Sequence, residues 1–265
     1  MAYGDDSLSN QWPKRLLGLV VGVIGYILVK ALFAGGIASL FGGSVSRIEV
    51  ERAISGNPDT AILFDELKSS YPDKYAEFLD TVVAQSKNGL TRAEARAHGA
   101  QFMRAFLVSK VPAISQASPA ALRTIGRAQL DLTEQLNAES LQLCADFAMR
   151  GISPTADLST TAIRKAAEVS AATIAAARAG ESSPVNRTSG TLNDADAGAW
   201  AQAMLRTGGS ERLLRAMANA DAMSSRDQCD MGQVIFRAAL ALPEEQSARV
   251  IAYLIWEASR QPLPR

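Results

Sequence analysis

Two cysteines, Cys144 and Cys229, and one histidine, His98, are the only thiol and imidazole groups in the 265 residues. A multi-histidine zinc site is therefore out of reach, and any Ser-His-Asp or Cys-His scheme rests on His98 alone. His98 lies among Arg92, Arg96 and Arg104, just before Gly99, and reads as an exposed helix residue. The cysteines carry more information. They form no Cys-x-x-Cys motif and lie about 85 residues apart, so in an oxidising compartment they invite a single disulfide. Closing that loop is worth on the order of 4 kcal/mol in the chain-entropy model. In a reducing compartment they read instead as separate buried thiols, Cys144 sharing an apolar line with Leu143 and Phe147.

Carboxylates cluster at Asp65-Glu66, at Asp194 with Asp196, and at Asp227 with Asp230 around Cys229. A helical muramidase needs only two such groups a few ångströms apart in space. Each cluster, however, falls at a predicted helix start or surface, where an acid complements the helix dipole. There is no phosphate-binding Gly-x-x-x-x-Gly-Lys-Ser/Thr, no dinucleotide glycine pattern and no His-Glu-x-x-His. No residue is therefore assigned a catalytic, cofactor-binding or metal-binding role. The formal net charge of +0 and scattered arginines offer no basic field for nucleic acid.

Which compartment the cysteines meet depends on residues 16–43. A polar tail, residues 1–15, precedes this apolar run, whose only charge is Lys30. Residues 16–34 nearly match the roughly 20 needed to cross a bilayer. Lys30 sits about one turn from the far end, where its stem can follow lipid to the headgroups. Gly35-Gly36 is a natural stop, leaving residues 37–43 as an interfacial apolar tail. The competing reading is a cleaved signal peptide, with Lys14 and Arg15 ahead of its core and Gly36-Ile37-Ala38 as the cleavage site. Lys30 and the excess apolar length favour an uncleaved single-pass anchor. Gly18, Gly22 and Gly25 form a small-residue stripe on which two spans could pack as a homodimer. Flanking charges are nearly balanced, and the preferred arrangement puts the short N-terminus inside and residues 44–265 outside.

The remainder reads as all-α. β-branched alternation is almost absent, aromatics are 6 %, and alanine is abundant, which suits thin, closely packed helices. A short helix is expected over 45–54, and another after Pro58. A third opens near Pro72 with Tyr75, Phe78, Leu79, Val82 and Val83 at helical spacing. Thr91 with Glu94 is a capping-box signature for a fourth, expected to end before Pro112. Ser-Pro pairs at 118, 153 and 183 read as helix starts. The expected helices are a long one over 120–150 bending near Asn137, closed by Gly151, and an alanine-rich one over 156–179 capped by Gly180. Residues 181–193 read as a loop and a candidate boundary between subdomains. Helices over 194–206, 210–223, 226–242 and from Pro243 complete the pattern, and Pro262 and Pro264 end it.

Taken together, the sequence predicts a single-pass protein of a bacterial inner membrane with a helical external domain. Arginine outnumbering lysine and the alanine content suit a GC-rich genome. The expected role is binding or scaffolding in the cell envelope with an unidentified protein partner. An immunity- or inhibitor-type protein blocking a toxin or hydrolase, and a carboxylate-dependent envelope hydrolase, are the alternatives.

Overall fold

The computed structural model describes residues 45–88, 92–152, 156–188, 190–216, 219 and 222–260. The polar tail, the apolar run with Gly18, Gly22 and Gly25, Thr91 of the capping box, Ser153-Pro154 and the final prolines lie outside them. Among the described residues there are eleven α-helices and no strand. None of these helices is long and apolar enough to cross a membrane.

Ser46 opens α1 (Arg47–Ser55) with a capping box. Its hydroxyl accepts the Glu49 N–H at 3.3 Å while the Glu49 carboxylate accepts the Ser46 N–H at 2.7 Å. Gly56 closes the helix, and α2 (Ala61–Ser70) and α3 (Pro72–Lys87) follow, the latter with proline in its first turn. Tyr75, Phe78, Leu79 and Val82 repeat at i, i+3, i+4, i+7 and are buried, so α3 packs by one stripe. Phe78 sits between Phe64 of α2 and Phe102 of α4 (Arg92–Ser115), with ring centroids 5.6 and 5.8 Å away.

The centre of the molecule is built on α5 (Pro119–Glu139) and α7 (Thr160–Ser182). These pack on each other, on α4, and on α6 (Leu141–Arg150), α10 (Ser225–Leu240) and α11 (Glu244–Ser259). Half of the buried residues of α7 are alanine: Ala162, Ala166, Ala167, Ala171, Ala176 and Ala177. Small side chains let neighbouring helices come close. The limit is reached at Gly180, where an added Cβ would lie 1.8 Å from the Ala113 carbonyl oxygen. Two shorter pieces, α8 (Asp194–Arg206) and α9 (Glu211–Ala216), complete the set. One continuous hydrophobic cluster draws on all eleven helices.

Several boundaries differ from expectation, each for a local reason. Pro112 lies inside α4, which runs one further turn to Ser115. Proline removes a helix N–H, yet that last turn is held from outside. The α7 backbone presses on Ala113 at Gly180, and the Arg187 side chain donates to the Ser115 and Ala117 carbonyls at 3.0 and 2.6 Å.

The expected bend at Asn137 is a complete break at Ser140. That residue adopts φ −160°, ψ 125° and caps α6 by accepting the Leu143 N–H. Serine prefers a cap to a helix interior because its hydroxyl competes for backbone groups. Ser118-Pro119 does start a helix, and Gly151 does close one, at φ +81°. Ser183-Pro184 starts nothing, because Ser183 ends α7 and the chain leaves in irregular conformation. The α7 start is capped by Ser159. Gly180 is no cap; it is buried within α7. Of the helix expected over 210–223, Glu211–Ala216 is helical among the described residues.

Candidate functional site

Cys144 of α6 and Cys229 of α10 are bonded, with Cα atoms 5.1 Å apart and both residues 0 % exposed. Each lies on the apolar stripe of its own helix, so burial of those stripes brings the sulfurs together. One turn further along the same seam, Gly232 faces Ala148, where an added Cβ would come within 2.8 Å of the alanine methyl. The two helices are thus nearly in backbone contact. A bond this buried gives no thiolate access for exchange, and its role is to tie α6 to α10.

Residues 183–188 and 190–193 run as a strap across the molecule. The Val185 N–H donates to the Gln116 carbonyl at 2.7 Å, fastening the strap beside the end of α4. Arg187 turns inward, its side chain only 5 % exposed, to cap that end. Its Nε and Nη2 have no hydrogen-bond partner, and the nearest acid, Glu245, is 3.8 Å from Nη2. Burial lowers the Arg187 pKa, with Glu245 opposing. Gly190, at φ +73°, lies against Trp256, where any Cβ would meet the indole at 2.4 Å. The Arg260 guanidinium also sits 4.6 Å from a Trp256 ring centroid. Asn193 then caps α8 by accepting the Asp196 N–H.

The three acidic clusters go to three different partners. Asp196 is 1 % exposed and takes two hydrogen bonds from Arg249 of α11, at 2.6 and 2.9 Å. Those bonds hold its carboxyl below the usual range despite burial. Asp227 accepts from Ser224 and, by both oxygens, from Arg212, which likewise lowers it. Glu66 accepts the Ser70 hydroxyl, while Asp65 and Asp194 are exposed. His98 is exposed on α4.

One constellation has no counterpart in any sequence spacing. At the α2–α3 junction, the Tyr71 hydroxyl donates to Glu181 at 3.0 Å, and Lys110 of α4 donates to the other Glu181 oxygen at 2.6 Å. The Lys110 ammonium also lies 4.7 Å from the Tyr71 ring centroid and 5.7 Å from that of Phe106. Burial, then the hydrogen bond to Glu181 and its charge, raise the Tyr71 pKa well above normal. Burial alone would raise Glu181 too, but the bonds from Lys110 and Tyr71 outweigh it and lower that carboxyl. A phenol held protonated and a carboxylate held ionised form a clamp joining α2, α4 and α7, without a poised acid or base.

Inside the core, Gln129 of α5 is 0 % exposed, and neither its amide oxygen nor its nitrogen has a partner. Its backbone carbonyl accepts the Thr133 hydroxyl at 2.7 Å. Among the described residues no group of three or more His, Cys, Asp or Glu could hold a metal ion. Comparison with family models, curated proteins and solved structures finds no match to this chain.

Proposed function

We propose that the chain is a membrane-anchored helical binding or scaffold protein of the bacterial cell envelope. Residues 16–43 hold it in the inner membrane, and the helical domain faces the external, oxidising side. The observation that carries this reading is the Cys144–Cys229 bond. Disulfides persist in secreted and periplasmic proteins and are rare where thiols are kept reduced. Joined to an apolar run of membrane-spanning length, it supports an anchor with the domain outside. A binding role rather than hydrolysis is supported by the carboxylates. Among the described residues, the carboxylates with displaced pKa values, Glu49, Glu181, Asp196 and Asp227, are all displaced downward. A glycosidase acid needs the opposite shift.

The test uses the full chain with a C-terminal epitope. Alkali washing should leave it in the membrane, and protease should remove the epitope in spheroplasts but not in intact cells. Release by alkali, or an epitope protected in spheroplasts, would overturn the reading. Site-specific photocrosslinking from exposed helix positions in the same cells then identifies the partner.

A further inference from the structure

The domain begins almost at once after the apolar run. Val45 is 6 % exposed and belongs to the core, and its N–H donates to the Ser86 hydroxyl at 3.5 Å, near the end of α3. Only Ser44 separates it from Gly43. Two residues of fully extended chain reach at most about 7 Å. If residues 16–43 enter a bilayer, the surface around Val45 therefore lies against that bilayer instead of hanging from a stalk.

That surface is formed by α1. Val50 and Ile54 point into the core, whereas Ile48, on the other side of the helix, is 65 % exposed. Arg52 follows one turn later and is exposed, as is Lys87, next to Ser86 on α3. Glu49 is held in the Ser46 capping box, where the nearby Arg52 charge also helps lower its carboxyl, and Glu51 pairs with Lys68 at 3.3 Å. Arg47 is paired with Asp80 at 3.2 Å. An apolar side chain with a basic one a turn away is the arrangement by which a helix lies along a lipid interface.

We infer that α1 rests on the phospholipid surface that the apolar run enters, with Ile48 seated at the headgroup–acyl boundary and Arg52 and Lys87 at lipid phosphates. The inference rests on the anchor reading above and orients the domain, leaving the faces remote from α1 for a partner.

The test is the full chain reconstituted into nanodiscs of phosphatidylethanolamine and phosphatidylglycerol, carrying an environment-sensitive fluorophore at Ile48→Cys. The native cysteines are bonded and buried, so they do not take the label. Ile48 is exposed, so the substitution leaves the core intact. A spin label placed high on the acyl chain should reduce emission by roughly twofold, the result expected for a group about 5–10 Å below the surface. Iodide in the buffer should have little effect. Quenching by iodide alone would overturn the inference while leaving the anchor in place. Protection from both quenchers would show α1 covered by protein, a second copy included, and would overturn it equally. Failure of the chain to co-purify with the discs would instead remove the anchor reading and the inference with it.

Discussion

Replacing Gly180 by alanine probes the glycine at which an added Cβ would meet its neighbours most closely among the described residues. In an open helix interior this change stabilises by about 1 kcal/mol. At Gly180 the new Cβ would lie 1.8 Å from the Ala113 oxygen, 2.7 Å from its carbon and 3.1 Å from the Ala117 nitrogen. All three are backbone atoms. A carbon–oxygen contact settles at about 3.3 Å, so α4 and α7 would have to part by roughly 1.5 Å. The turn that must move is the one Arg187 caps. Overpacking costs about 1–3 kcal/mol, and more when the backbone must shift. Set against the helix-propensity gain, the net loss is about 2 kcal/mol or more. In a domain of this size that lowers Tm by roughly 4–8 °C. Thermal unfolding of the full chain in detergent, followed by far-UV circular dichroism, reads it directly. Two other glycines calibrate the result. Gly198 meets nothing within 4 Å, so Gly198→Ala should raise Tm by roughly 2–4 °C. At Gly126 the nearest atom, at 2.7 Å, is the terminal methyl of Ile251, which can rotate away, so Gly126→Ala should be close to neutral. A Gly180→Ala chain melting at or above the parent would refute the packing of α7 on α4.

Further consequences follow from the same contacts. Replacing Cys144 and Cys229 together by alanine frees a loop of sequence separation 85. It should cost about 4.5 kcal/mol in chemical unfolding under non-reducing conditions. Arg187→Ala leaves the Ser115 and Ala117 carbonyls without their donor and should cost about 1–3 kcal/mol, seen as a lower denaturant midpoint with unchanged slope. Gln129→Met removes a buried amide with no partner at nearly constant volume and should stabilise by about 1 kcal/mol, read as a higher denaturant midpoint. Asp196 has a folded pKa below its unfolded value, so its contribution is fully present above about pH 4 and is lost as pH falls from there through the folded value. Asp196→Asn should therefore be less stable at neutral pH and show a shallower loss on acidification than the parent.

What could be read from the residues, and what could not, divides along physical lines. Periodic apolar stripes place α3, α8 and α11 with almost no error, because Phe78, Trp200 and Ile251 are buried for the same reason they are apolar. The cysteine pair was legible because there are only two candidates for one bond. Pro112 and Gly180 misled because their roles come from a contact between helices far apart in sequence, where local propensity is overridden. Arg187 looked like one polar residue in a polar loop; only the fold places α4 carbonyls beneath it. The cluster of Tyr71, Lys110 and Glu181 spans a separation of 110 residues, and no spacing rule reaches that far. The loop expected over 181–193 was legible by composition from residue 183 on, Glu181 and Ser182 being the last residues of α7, but its work as a strap rests on Gly190 against Trp256 and on the backbone bond of Val185.

The account turns on an external domain closed by a disulfide formed in the cell. The direct measurement is thiol trapping. Cells making the full chain are quenched in acid, and the denatured protein is treated with a large maleimide before and after reduction. The account predicts no adduct before reduction and two afterwards, one for each cysteine of the chain. Two adducts without reduction would contradict it.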